Sequence, residues 1–341
     1  MDVWAPAAAP DRVSRTAAEA TAWVESPLQL LSAVEAHALG RTARRTTVVV
    51  RVGSAALHQT ALAAVDLGLP DGLTLVGEAD AAAPWDLRGD APWVVGDAFS
   101  GVVQRALVLH RPARVVLVDD GLAALHLLAL LADPSQPALV RARAGLSPGR
   151  GLLGQLAGRR LREAARDGRL EAVTSLPVPS DVAAGVEAAG LQLTSHSFGW
   201  LRSRPAADAP AERTVVLGTA LVGHGLVRPE PYLEFVRSLS RVEPVAYYPH
   251  RRESPELLHA LSEEPGVCLR LGRAPVEITL RGLQAAHRVV GLPSTALASL
   301  GALLAGRGVR FEPVDVPEDW WTPRAAAFRR SLPRSQVPAA A

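Results

Sequence analysis

Short runs of apolar and β-branched residues alternate with helix-length segments along almost the whole chain, and this alternation constrains the fold more than any other feature. Thr46–Val52 (TTVVVRV) is β-branched and apolar enough for a buried parallel strand. Ala22–Ser26, Leu73–Val76, Trp93–Gly96 and Val115–Asp119 read as further strands. Pro27–Leu39, residues 54–67 and Gly121–Ala132 have helical spacing. The pattern then restarts. Strands are expected at Thr214–Gly218, Val245–Tyr248, Val267–Leu271, Arg288–Gly291 and Val309–Phe311. Helices are expected at Pro231–Leu239, Pro255–Leu261, Val276–Gln284 and Thr295–Ala305. Successive βα units build mainly parallel sheets with helices on both faces.

The break between the two series is polar, rich in proline and alanine, and without period: residues 202–212, RSRPAADAPAE. The expected organisation is a disordered lead-in at 1–20, an N-terminal domain at 21–201, a linker at 202–212, a C-terminal domain at 213–328 and a tail at 329–341. A chain of 341 residues suits two cores of roughly 150 residues each. No solenoid-length repeat, G-x-G-x-x-G loop or Walker A loop occurs, which disfavours a dinucleotide oxidoreductase or a P-loop ATPase.

Composition excludes other classes. The net charge of +2 gives no overall field for nucleic acid, so none is expected as a partner. The single cysteine, Cys268, cannot form an internal disulfide, and its setting (VCLRL) reads as core. The longest apolar stretches, near 122–132 and 296–305, are shorter than the ~20 residues of a membrane span. The N-terminus lacks a charged segment followed by an apolar one, so a cytoplasmic protein is expected.

Four short motifs fall where strands end, the usual ligand-binding edge of such sheets. Asp119-Asp120-Gly121 follows VVLV. Either carboxylate can act as a general base, and either can equally cap the next helix. Paired acids also hold divalent cations, but no further ligands lie nearby in sequence, so no metal is expected. Pro249-His250-Arg251-Arg252-Glu253 follows a strand and suits either an anionic phosphate or a solvated turn. Gly291-Leu292-Pro293-Ser294-Thr295 opens a helix whose N-terminus can receive an anion or simply be capped. Ser26-Pro27-Leu28-Gln29 opens the first helix, with proline at its first position. Residues 141–169 carry eight arginines against two acids, with Leu152, Leu153, Leu156 and Leu161 as a partial apolar stripe. This stretch reads as a solvated helix face, with peripheral contact to an anionic membrane as the alternative.

Taken together and in order, these motifs resemble glycosyltransferase family 52 and the bacterial sialyl- and polysialyltransferase-like proteins. The resemblance spans roughly residues 22–315. It also draws on the G-T-A-L-V strand end at Gly218-Thr219 and on a His-Pro-like motif, reversed here because Pro249 precedes His250. It implies a GT-B fold, an α/β architecture of two doubly wound Rossmann-like domains facing a cleft. It further implies an inverting, metal-independent transfer from a CMP-activated nonulosonic acid donor to a glycan or glycolipid acceptor, with no cofactor; the expected location is the cytoplasm, with peripheral contact to the inner face of the cell membrane through residues 141–169 as the alternative. On that resemblance Asp119 or Asp120 is the base, with Asp120 preferred. His250, Ser294 and Thr295 bind the donor phosphate, and Glu277 holds the ribose. Gly218 and Thr219 line the nucleotide side, and Ser26, Gln29 and Gly121 are candidate cleft residues. A UDP- or GDP-sugar transferase and a non-catalytic glycan- or membrane-binding relative are the alternatives.

Overall fold

The computed structural model describes residues 19–79, 91–133, 135, 138–141, 148–272, 274–326 and 329. The lead-in at 1–18, Arg143 and nearly all of the tail lie outside the described residues. The chain divides into two compact units, with the boundary between Pro205 and Ala206. That point falls within 202–212.

The first unit is built on seven strands: β1 (Glu19–Val24), β2 (Arg45–Val50), β3 (Leu73–Gly77), β4 (Trp93–Val95), β5 (Val115–Val118), β6 (Leu170–Thr174) and β7 (Gln192–Ser195). All neighbours pair in parallel, in the order β3-β2-β1-β4-β5-β6-β7. The order reverses between β1 and β4, the kind of switch point at which ligands bind in open α/β sheets. The valines of β2 and β5 are buried, as their unbroken apolar runs require. The strand β1 starts at Glu19, inside the segment read as lead-in.

Helices α1 (Pro27–Ala38), α2 (Ala55–Asp66), α3 (Gly101–Leu109), α4 (Leu122–Ala132), α5 (Pro148–Arg166), α6 (Ser180–Ala188) and α7 (Gly199–Arg202) complete this unit. Ser26 and Ser54 cap α1 and α2 through their side chains, satisfying first-turn N–H groups. The buried carboxylate of Glu35 on α1 accepts the Trp200 and Leu201 N–H groups, each at 2.9 Å. It therefore secures the start of α7, just after Phe198, whose φ of 57° is left-handed.

The arginine-rich stretch forms α5 and packs against the sheet through Ala157, Leu161, Ala164 and Ala165. Its apolar residues do not form one stripe: Leu161 is buried while Leu152 and Leu156 are exposed. Several arginines bond backbone carbonyls, Arg150 to Phe99, Arg162 to Leu130 and Arg169 to Pro112. Among the described residues no helix is long and apolar enough to cross a membrane.

The second unit holds β8 (Thr214–Leu217), β9 (Val245–Tyr248), β10 (Val267–Leu269), β11 (Arg288–Gly291) and β12 (Arg310–Pro313), all parallel, in the order β10-β9-β8-β11-β12. Its order reverses between β8 and β11. Helices α8 (Ala220–Gly223), α9 (Pro229–Ser240), α10 (Pro255–Ser262), α11 (Val276–Thr279) and α12 (Thr295–Leu303) connect the strands. The helix expected over 276–284 stops at Thr279. Beyond it the close passage of Gly282, where a Cβ would overlap the Ala207 carbonyl, takes the chain out of helical geometry. Cys268 is half-buried rather than core, because β10 is an edge strand. The α/β class and the two doubly wound domains of the sequence expectation are the architecture observed.

Candidate functional site

At the β1/β4 reversal the structure gathers residues that lie far apart in sequence. Ser26 caps α1, which places Gln29 one turn inside the helix and buries its amide. That amide does two jobs: Oε1 accepts the Glu25 N–H at 2.7 Å, and Nε2 donates to Asp120 Oδ1 at 2.7 Å. The Ser26 hydroxyl donates to the same oxygen at 3.4 Å. The S-P-L-Q and D-D-G motifs therefore meet at one carboxylate.

Gly96 makes this possible. It ends β4 directly over Gln29, and a Cβ there would fall on the Gln29 side chain. Gly96→Ala is expected to cost about 1–3 kcal/mol by overpacking, measured by denaturant unfolding. A variant as stable as the parent would show that Gln29 can move aside freely.

The two carboxylates of the acid pair have separate environments. Asp119 is fully buried. It accepts from the Thr174 hydroxyl, from the Ser175 N–H at 2.7 Å and from the Ser175 hydroxyl at 3.0 Å, and its Oδ2 lies 3.6 Å from His196 Nε2. Its oxygens are committed to β6 and the β7 end. Asp120 keeps 15% side-chain exposure and contacts Arg141 Nη2 at 3.3 Å. The same arginine nitrogen bonds Asp97 Oδ2 at 2.5 Å. Burial first, and then the Asp97 charge, raise Asp120 to about 6, against the opposing hydrogen bonds from Gln29 and Ser26 and the charge of Arg141. Asp120 is thus mainly ionised at pH 7 yet basic enough to accept a proton.

Gly121 follows with φ of +68°, a left-handed turn that lets α4 begin immediately. Asp97 was not singled out from sequence. Its signal was present as the first polar residue after a buried strand (WVVGD), but only the sheet order sets it beside Asp120.

In the second unit the β8/β11 reversal places Gly218-Thr219 and Ser294-Thr295 at neighbouring strand ends. The Ser294 hydroxyl caps α12 through the Leu297 N–H at 3.3 Å, and Thr219 caps α8 through the Leu221 N–H at 3.1 Å. His250 follows β9, the strand beside β8. Its Nδ1 accepts the Arg252 N–H at 3.1 Å, so the ring proton of the neutral form sits on Nε2. Burial, then Arg251, Arg252 and His224, lower His250 to about 4. It is therefore a neutral hydrogen-bond donor at pH 7 and brings no positive charge.

Glu277 is buried in α11 and accepts from the Ser299 hydroxyl of α12, and burial raises its pKa. The structure engages this carboxylate in a helix-to-helix bond between α11 and α12, and the ribose-binding role expected of Glu277 would require it to be shared with that bond. Glu253 lies at the strand ends, with Oε1 2.6 Å from the Thr219 N–H.

No family model matches the chain, and no curated protein matches it. Among solved structures the chain is similar to a UDP-glucose:anthocyanidin 3-O-glucosyltransferase in complex with UDP. The TM-score is 0.42, with 11% identity over 93% of this chain and 84% of that one. It is also similar to TcCGT1 in complex with UDP, with a TM-score of 0.47 and 13% identity over 93% of this chain and 90% of that one.

Proposed function

We propose that this protein is a glycosyltransferase that moves a sugar from a nucleotide-activated donor, with Asp120 as the base. The observation that carries the reading is the Ser26–Gln29–Asp120–Arg141–Asp97 group at the switch point of the first sheet. It presents one partly exposed carboxylate, tuned to accept a proton near neutrality, whose one hydroxyl contact among the described residues, Ser26, is committed to capping α1. Asp120 takes the proton of an acceptor hydroxyl as that oxygen bonds to the anomeric carbon. The bond from that carbon to the donor phosphate breaks, and the phosphate leaves with the electron pair. A single displacement of this kind inverts the anomeric centre. Asp119 is a positioning residue that fixes the end of β5 to β6.

The second domain takes the nucleotide in this reading, with Gly218 and Thr219 on one side of the β8/β11 reversal and Ser294 and Thr295 on the other. His250 donates through Nε2–H to the leaving phosphate, which gains charge as the bond breaks. The ordered motifs favour a CMP-activated nonulosonic acid as donor, with a glycan or glycolipid as acceptor. A UDP- or GDP-sugar is the second donor reading.

Thermal stabilisation by CMP, UDP, GDP and ADP tests the donor, and UDP belongs in the panel as the nucleotide of both solved structures named above. A ligand at a hundredfold its dissociation constant adds about 2.7 kcal/mol to stability, which for a chain of this size is a shift of several degrees. A shift with CMP alone supports the nonulosonate donor, and a shift with UDP or GDP alone replaces it. No shift with any nucleotide removes the nucleotide-sugar reading.

A further inference from the structure

The His250 loop carries a carboxyl group for which the mechanism above has no use. Glu253 is 8% exposed. Its Oε1 accepts from the Thr219 N–H at 2.6 Å and from the Tyr247 hydroxyl at 2.7 Å. The Tyr247 oxygen lies 2.9 Å from the Tyr232 hydroxyl, and both rings are buried. Tyr232 can therefore donate to Tyr247 and Tyr247 to Glu253, a relay running from α9 through β9 to the end of β8.

The other oxygen is treated differently. Glu253 Oε2 is buried and accepts no hydrogen bond of ordinary geometry among the described residues. The His250 N–H lies close enough to the carboxyl to favour its ionised form, as do Tyr247 and Thr219. Burial outweighs all three and raises Glu253 to about 7. A dry carboxylate oxygen without a donor is strongly unfavourable, whereas a protonated one requires none.

The surrounding backbone is equally tight. A Cβ on Gly218 would meet the Glu253 carboxyl and the His250 nitrogen, and a Cβ on Gly223 would overlap the Arg252 carbonyl. The turn after β8 and the loop after β9 therefore lie in direct contact, with Glu253 as the bond between them. The titratable side chains that act on this carboxyl are Tyr247 from β9 and Tyr232 from α9, while Arg251, Arg252 and His224, at the end of α8, act on the His250 ring of the same loop.

We infer that Glu253 is a positioning residue that, protonated on Oε2, ties the Gly218-Thr219 turn to the His250 loop, so that a nucleoside phosphate binds this strand end together with a proton on Glu253. The ligand named here rests on the nucleotide reading above. With Glu253 ionised, its charge opposes an arriving phosphate. With Glu253 protonated, Arg251 and Arg252 set the local field.

The test measures CMP and UDP dissociation constants between pH 6 and pH 9. In the parent protein binding weakens by up to tenfold per pH unit above about pH 7. Glu253→Gln keeps an acceptor for Thr219 and Tyr247 and is permanently neutral. It binds as the parent does at pH 6, with no change up to pH 9. Glu253→Ala loses the tie and binds about tenfold or more weakly than Glu253→Gln at every pH. A Glu253→Gln protein that keeps the parental slope, as it would if His250 took up the proton, overturns the inference. So does a parent whose binding ignores pH.

Carboxyl 13C titration of the ligand-free protein is read independently of any nucleotide. A Glu253 midpoint near 7 supports the protonated tie, and one near 4.5 overturns it even if no nucleotide binds. Nucleotide binding with the expected pH behaviour, but no sugar transfer from any donor, would retire the transferase reading and leave Glu253 in its role.

Discussion

An Asp120→Asn protein transfers sugar roughly 10²- to 10⁴-fold more slowly than the parent, the usual contribution of a positioned general base, and unfolds at a higher temperature at pH 7. The first effect follows from removing the proton acceptor while keeping its shape. The second follows from burial. The folded-state pKa of Asp120 is raised, to about 6 from 3.8, so the native protein holds a proton that the unfolded chain has already released. Stability therefore falls as pH rises from about 4 to about 6 and stays lower above that. Asparagine is never ionised and escapes this cost, while its Oδ1 still accepts from Gln29. The gain at pH 7 is roughly 1–3 kcal/mol, reduced by the weakened contact with Arg141. Parental turnover should climb about tenfold per pH unit below pH 6 and level off above it, as ionised Asp120 accumulates. A variant that loses activity together with stability would point to a folding role, and one with full activity would remove Asp120 as the base.

Asp119→Ala is expected to behave in the opposite way, losing about 3–5 kcal/mol of stability. The substitution leaves the Thr174 and Ser175 hydroxyls, the Ser175 N–H and His196 facing a buried gap without their shared acceptor. Urea unfolding would record the loss as a lower midpoint with little change in slope. If Asp119→Ala instead folded with parental stability and lost transfer, the roles of the two neighbouring acids would be exchanged. The pair of variants thus separates a positioning acid from a reacting one, which adjacent residues in a sequence cannot do.

Two glycines show how the same residue type is readable in one place and not in another. Gly121 sits between an acid pair and a leucine-rich helix, and a sharp turn there was legible because the chain must leave a strand and enter a helix within one residue. Gly96 looked like an ordinary strand terminus. Its importance comes from Gln29, 67 positions earlier, whose side chain occupies the space a Cβ would need. The strands β6 and β7 were missed for a related reason. A glutamate inside LEAVT argues against burial until Arg114 and Thr194 are placed beside Glu171, and QLTS is a short edge strand with little apolar content.

By itself the sequence determined the local events. Buried valine runs became parallel strands, serines and prolines opened helices, and the motif residues fell at strand ends, because each depends on neighbours within a few positions. Only the tertiary structure decided which strand ends lie together. The reversal of strand order between β1 and β4 brings Gln29 and Asp97 to Asp120, and the β8–β9 pairing brings Glu253 to Thr219. It also decided how far each acid is buried: Asp119 and Glu277 were drawn into internal hydrogen bonds, while Asp120 kept an exposed edge. The physical reason is that a carboxyl group's chemistry is set by its desolvation and its partners, and both are supplied by residues tens of positions away.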